Sequence, residues 1–334
     1  MGRSDVAMVV IGRNEGSRLD RCLRSARDWR IVYVDSASTD GSAELARIAG
    51  AEVIEIDPAS GLSPARGRNA GLDRLTADSA IRYVQMLDGD CELAPGWIEA
   101  GAAALDADAG LGAVTGQLRE IRPDESIYNW MCDVEWTAGS GGRALFGGNV
   151  LLRADAVRSL GGYRVDMIAG EDPDLAIRLR AAGWTIGALP APMARHDAAM
   201  TRFGQWWRRT VRAGHAFEAL VERHPCSPFH DFARSRRRIL GWAGIVPLIA
   251  LAGLLLAILA DRQWIVLTIA MLLLVIAQWL RVGLREARRH PRDRAFGFAF
   301  FLAIGKYAEM IGLIRYRLDR WRGRPSRLIE HRAP

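Results

Sequence analysis

The chain has 334 residues, half of them hydrophobic, and a formal net charge of +7. That charge is unevenly spread: residues 1–225 carry 26 Lys+Arg against 31 Asp+Glu (net −5), and residues 226–334 carry 19 against 7 (net +12). The basic excess flanks long apolar runs rather than an aromatic-lined groove, which points to a membrane surface and away from a nucleic-acid binder.

Val6–Ile11 reads as a buried strand running into Gly12-Arg13-Asn14-Glu15-Gly16, with an amphipathic helix over Ser17–Ala26. No long apolar core precedes it, so no secretory signal is expected. Ile31–Val34 is a second strand, closed by Asp35. Asp40 or Ser42 can cap a helix over Ala43–Ala49. Val53–Ile56 is a third strand, and Ser63–Leu75 a helix with Arg66, Arg68 and Asn69 near its start. Ile81–Leu87 is the fourth strand and ends in Asp88-Gly89-Asp90. Strands alternating with helices predict a mostly parallel sheet covered on both faces, an α/β Rossmann-like fold with polar groups gathered where strands end. Two carboxylates there suit a hard divalent cation, Mg²⁺ or Mn²⁺. Their plain alternative is a polar strand-to-turn junction.

Farther on, the pattern predicts a helix over Ala94–Leu105 from Pro95, a strand at Leu111–Thr115 and a helix within Ser126–Trp136. Gly139-Ser140-Gly141-Gly142-Arg143 reads as a mobile loop near an acceptor, without the ending of a Walker phosphate loop. Phe146-Gly147-Gly148-Asn149 leads to a helix at Ala154–Leu160. Gly170-Glu171-Asp172-Pro173-Asp174 opens a helix over Asp174–Ala182, where acids also serve a helix N-terminus. His196 follows a strand-like run over Ile186–Met193. Cys22, Cys91, Cys132 and Cys226 show no Cys-x-x-Cys spacing and read as free thiols in a reducing compartment.

Four motifs in order, IGRNE, VDSASTDGS, ARGRNAG and LDGD, make residues 5–215 resemble glycosyltransferase family 2 with a GT-A fold. The chain departs from that pattern at Ser36-Ala37, where many relatives carry Asp-Gly. The resemblance implies a nucleotide-sugar donor, most simply UDP-linked, bound through Glu15 and Asp35 at base and ribose and Arg68 near the diphosphate. It implies Asp88 at the ribose or metal shell, Asp90 on the metal, and Asn149 at the donor or acceptor sugar. His196 is a candidate for the metal or the diphosphate. Inverting transfer needs a base for the acceptor hydroxyl. That role falls to Asp172, with Glu171 helping to place the acceptor. Gln205 and Arg208 match part of the Gln-x-x-Arg-Trp motif of membrane synthases, implying an acceptor or diphosphate contact. Arg209 stands where that motif has Trp, which argues for a single-addition enzyme.

Ile239–Ala260 and Trp264–Leu280 are charge-free runs suited to a transmembrane hairpin. Arginines flank both outer ends, placing those ends and the catalytic domain (1–225) on the cytoplasmic side of a multi-pass inner-membrane protein. Ala295–Ile314 carries Lys306 and Glu309 and has basic groups at either end. A re-entrant or in-plane helix is expected there, with a third span as the alternative, followed by an Arg-rich tail for anionic lipid. The acceptor expected is a lipid-linked or cell-envelope glycan. Transfer to polyprenyl phosphate and a non-catalytic membrane scaffold remain as competing readings. The sequence sets neither the sugar nor the oligomeric state.

Overall fold

The computed structural model describes residues 4–137, 145–228 and 232–324. The loop expected at Gly139–Arg143 lies outside these residues. The chain divides into two compact units, one running to Ala199 and one beginning at Met200. The division therefore precedes the boundary expected at residue 225. The reason is that the helix after Met200 packs with the C-terminal helices.

In the first unit the elements run β1 (Val6–Gly12), α1 (Ser17–Ser25), β2 (Arg30–Asp35), α2 (Ser42–Ile48), β3 (Glu52–Glu55), α3 (Pro64–Thr76) and β4 (Tyr83–Asp88). They continue with β5 (Cys91–Leu93), α4 (Trp97–Ala107), β6 (Leu111–Glu120), α5 (Ile127–Thr137), β7 (Val150–Arg153), α6 (Ala154–Ser159), α7 (Glu171–Ala181) and β8 (Thr185–His196). One sheet has the order β3-β2-β1-β4-β7-β6-β8-β5. Its first four strands are parallel, and β7 joins antiparallel on both sides. Residues alternate to two cores: Met8, Val10 and Tyr33 pack under Trp97 and Leu105 on one face, and Val9, Val32 and Met86 under Leu72 and Leu75 on the other. The expected α/β sheet covered on both faces is thus present.

Local differences have local causes. α4 begins at Trp97, not Pro95, because Gly96 takes a left-handed conformation before it. α7 begins at Glu171, so Glu171 and Asp172 lie in its first turn rather than ahead of it. α2 is preceded by Gly41, while the Asp40 carboxylate accepts from the Ser42 amide at 3.0 Å and its hydroxyl at 2.6 Å. β5 and β7 are short strands defined by their pairing rather than by any run of pattern.

The second unit holds α8 (Phe203–Arg223), α9 (Phe232–Leu240), a π-helical turn at Gly241–Ile245, α10 (Val246–Leu259), α11 (Ile265–Glu286) and α12 (Arg292–Trp321). Among the described residues, three segments are long and apolar enough to cross a membrane: Phe232–Leu259, Arg262–Glu286 and Arg292–Trp321. α10 and α11 form an antiparallel pair in which Thr268 Oγ1 donates to the Ala250 carbonyl at 2.7 Å. α12 is one unbroken helix of 30 residues.

Candidate active site

The ends of α3, β4 and α7 meet at Arg68. The side chain is 4% exposed and donates to Asp88 Oδ1 at 2.9 Å and Glu171 Oε1 at 2.7 Å, with Asp172 Oδ1 at 3.4 Å. Burial alone would weaken its charge, but Asp172, Asp88 and Glu171 more than offset that and hold the guanidinium protonated. Tyr163 stacks below it, 5.5 Å from guanidinium carbon to ring centre. Asn69 fixes that tyrosine by two backbone bonds: its amide donates to the Tyr163 carbonyl at 2.7 Å, and its Oδ1 accepts from the Tyr163 N–H at 2.8 Å. Gly148 is required here. A Cβ would stand 2.5 Å from both Arg68 Nη2 and Asp88 Oδ2.

Arg68 is held by carboxylates inside the protein. Glu171 is buried against it. Asp172 is the more exposed of the α7 acids in the cluster.

The Asp88-Gly89-Asp90 turn is held from several sides. Asn149 bridges its two ends: Oδ1 accepts from the Asp88 amide at 3.1 Å, and the side-chain amide donates to Cys91 Sγ at 3.3 Å. Asn149 is buried with both ends of its amide engaged. Gly89 donates to the Ile11 carbonyl at 2.8 Å and brings the turn against Glu15. Its close approach is to the protein's own backbone.

Asp90, Cys91 and His196 bring one potential ligand atom each within 4.8 Å of one another. The β5–β8 pairing sets Cys91 opposite His196, and Asp90 Oδ2 lies 3.4 Å from His196 Nε2. Trp136 packs on the imidazole, with ring centres 4.6 Å apart. Burial, then Asp90 and Asp88, push the Cys91 thiol well above its ordinary value. Asp90 and His196 offer a carboxylate oxygen and an imidazole nitrogen. That pair fits Mn²⁺ better than all-oxygen Mg²⁺, with further positions left to substrate oxygens or water. Asp88 pairs with Arg68 through Oδ1.

The β1 and β2 loops are stitched together. Ser38 Oγ accepts from the Asn14 amide at 2.9 Å, and Asn14 Oδ1 accepts from the Thr39 amide at 2.7 Å. Asp35 accepts from the Ser38 amide at 2.7 Å and the Tyr33 hydroxyl at 3.0 Å. Burial, then Asp35, raise the Tyr33 hydroxyl far above its ordinary range, keeping it a donor. Asp35 thus shapes the loop from a buried position. Ala37 takes φ 62°, a conformation that favours the glycine found there in the family pattern. Glu15 pairs with Arg18 at 3.0 Å and lines a cavity of about 410 Å³ with Asn14, Arg21, Arg122 and Asp197.

Asp197 was not singled out in the sequence, where its only signal is that it follows His196. It is 1% exposed and is clamped by Arg21 at 2.8 Å and Arg122 at 2.9 Å. In the second unit, Gln205 Oε1 accepts from the Thr201 and Arg202 amides, both at 3.0 Å, and so caps α8. Arg208 lies one turn on.

Residues 8–155 match the model for "Glycosyl transferase family 2", and residues 124–282 match "Glycosyl transferase family group 2". The chain belongs to glycosyltransferase family 2. Its ordered motifs, its Asp-Gly-Asp turn and strands β2 to β7 fall inside the first of these regions. A relative in this glycosyltransferase group, the pre-mycofactocin glycosyltransferase of Mycobacterium tuberculosis, is 30% identical over 238 residues. That match covers 66% of this chain but only 48% of the relative, so the chain spans about half the length of the curated relative. Among solved glycosyltransferase folds, it is similar to mannosyltransferase PcManGT from Pyrobaculum calidifontis, in complex with GDP-Man and Mn²⁺. The TM-score is 0.60 at 19% identity, over 96% of this chain and 89% of that one. Glucosyl-3-phosphoglycerate synthase from M. tuberculosis, solved with Mn²⁺, UDP-Glc and phosphoglyceric acid, gives 0.50 at 16% identity over 66% and 79%. At these identities the two structures speak to the fold alone.

Proposed function

We propose that this family 2 member transfers a sugar, with inversion, from a nucleotide-sugar donor to a hydroxyl of a lipid-linked or cell-envelope glycan. The observation that carries the reading is the meeting at Arg68 of the β4 acid turn with the α7 acids. It puts a leaving-group side and a nucleophile side on one rigid junction. Asp172, the more exposed of the two α7 acids in the cluster, takes the proton from the acceptor hydroxyl as that oxygen attacks the anomeric carbon. Arg68 and Glu171 hold Asp172 in place, and the buried guanidinium keeps three carboxylates from dispersing. Asp90 and His196 would hold the divalent ion, with Mn²⁺ favoured by their O/N donor set. The ion would supply Lewis-acid stabilisation of the departing nucleoside diphosphate. Glu15 and the Asp35-shaped loop would receive the base and ribose, and a UDP donor is the simplest assignment.

The membrane placement is part of the proposal. The apolar α10–α11 hairpin has hydropathy far above that of a surface helix and is nearly unburied within the protein. Arginines at both of its outer ends favour the cytoplasmic side, where nucleotide sugars are made.

The test is nucleotide release by the full chain in detergent with lipid extract and Mn²⁺, across UDP-, GDP- and dTDP-sugars. Release from one donor, abolished in Asp90→Ala, is expected. Equal release by Asp90→Ala, or none from any donor together with no nucleotide binding, would overturn the reading.

A further inference from the structure

Resting on the membrane placement proposed above, we infer that α12 does not cross the bilayer. It lies in the interface with α8 as a two-helix plate, with its free apolar stripe in the lipid margin and its arginines among anionic headgroups.

α8 and α12 run side by side in the same direction. Trp206 packs on Phe301 with ring centres 5.0 Å apart, His215 on Tyr316 at 5.1 Å, and Glu222 pairs with Arg320 at 2.7 Å. Contact partners therefore advance together from one end of α8 to the other. The backbones nearly touch. A Cβ on Gly312 would stand 2.0 Å from the Val211 carbonyl oxygen, and one on Gly214 2.0 Å from that of Glu309. Such an approach, with its ion pairs, fixes the two helices as one body.

Whatever layer α12 occupies from Phe301 to Arg320, α8 shares it. α8 carries Arg208, Arg209 and Arg212 in its middle turns, and its buried Glu218 is paired with Arg236 and Arg317. A crossing α12 would carry these ionic groups to the hydrocarbon midplane, the costliest place for them in a bilayer. Lys306 and Glu309 in the middle of α12 itself, paired at 2.7 Å, add to that cost.

Two further observations agree. First, α12 touches the hairpin at Phe296, whose carbonyl accepts from Trp279 Nε1 at 3.2 Å, and at Met310, which lies against Gly244. Gly244 lies in the turn just before α10 and Trp279 two turns before the end of α11, so both contacts are in the half of the hairpin nearer its basic end. They are 14 residues apart on α12, about 21 Å along its axis. Second, Phe300, Tyr307, Ile311, Ile314, Leu318 and Trp321 are exposed at three-, four- and seven-residue spacing, opposite the face of Ala308 and Gly312 buried on α8. Exposed Arg315 and Arg322 border that stripe. An apolar stripe edged by arginine is the pattern of an in-plane helix on an anionic leaflet.

The experiment is sidedness labelling of the full chain in sealed membrane vesicles, with a membrane-impermeant maleimide. Asp293→Cys, Arg324→Cys and Gln263→Cys are each made in a Cys226→Ser background, and Cys226 itself marks the catalytic side. Labelling of Asp293→Cys and Arg324→Cys from the Cys226 side, with Gln263→Cys labelled only from the other side, is the expected result. Arg324→Cys on the Gln263 side would overturn the inference and make α12 a third span. Gln263→Cys on the Cys226 side would instead remove the membrane hairpin itself.

Discussion

The backbone amide of Asp197 donates to the carbonyl of Asp90 at 2.9 Å, extending the β5–β8 pairing by one bond. Asp197 therefore joins both members of the proposed metal pair: Asp90 through this bond and His196 through the chain. Its carboxylate is locked by Arg21 and Arg122. Outer contacts of this kind orient ligands, and their loss costs metal affinity by about 10- to 100-fold. Asp197→Asn should weaken Mn²⁺ binding by roughly tenfold, read by titration of free Mn²⁺ in electron paramagnetic resonance, with an unchanged circular dichroism spectrum. Unchanged Mn²⁺ affinity would remove Asp197 from this role.

Arg68 is buried among three acids, so removing it strands their charge. Arg68→Met should destabilise the first unit by about 3–5 kcal/mol, the usual loss when one partner of a buried ion pair is deleted. Chemical denaturation of the full chain in detergent checks this. A loss below about 1 kcal/mol would mean that the cluster is solvated like a surface pair.

Ala37 sits at φ 62°, where a Cβ is strained and glycine is not. Ala37→Gly should therefore stabilise the β2–α2 loop, with relief of about 1 kcal/mol partly offset by the greater freedom of glycine in the unfolded chain. A rise in Tm with unchanged nucleotide affinity is expected. A fall in Tm would show that the loop carries no such strain.

His215 lies buried between α8 and α12, and burial lowers its pKa from 6.5 to about 4. Asp319 opposes that shift and Arg212 adds to it. Because the folded value is depressed, the contribution to stability is present above about pH 6.5 and is lost as pH falls towards about 4. The linkage is on the order of 3 kcal/mol at most, by ~1.4 kcal/mol per unit. Thermal melts should show wild type losing stability relative to His215→Phe as pH drops through this window. Parallel melting curves would contradict the assignment.

The parallel half of the sheet was legible because β1, β2 and β4 are buried on both faces and read as apolar runs closed by Asp or Gly. Asp90, His196 and Asp172 were picked out because their residue types sit at strand or helix ends, and the structure keeps them at such ends. β5 and β7 were not, since three or four residues carry no period and become strands only by pairing. The pairing of Arg68 with Glu171 was not legible for a related reason. They meet across 103 residues of sequence, and a guanidinium near a helix start looks alike whether it faces phosphate or a buried acid. The two partners of Asn149 inside the protein were likewise out of reach of the sequence. In the second unit, hydropathy marks three apolar segments among the described residues, and α12 differs in carrying Lys306 and Glu309 and in packing on the charged α8.

The central claim is that two acid groups divide the labour, Asp90 with His196 on the leaving group and Asp172 on the nucleophile. The most direct measurement compares Asp172→Asn and Asp90→Ala for Mn²⁺-dependent donor binding by calorimetry and for single-turnover transfer, using the donor found in the release panel. Asp172→Asn should bind donor within about twofold of wild type yet lose transfer by 10²-fold or more, on the order of a general base's contribution. Asp90→Ala should lose the Mn²⁺-dependent part of donor binding itself. Near wild-type transfer by Asp172→Asn, or unaltered Mn²⁺-dependent binding by Asp90→Ala, would contradict the division.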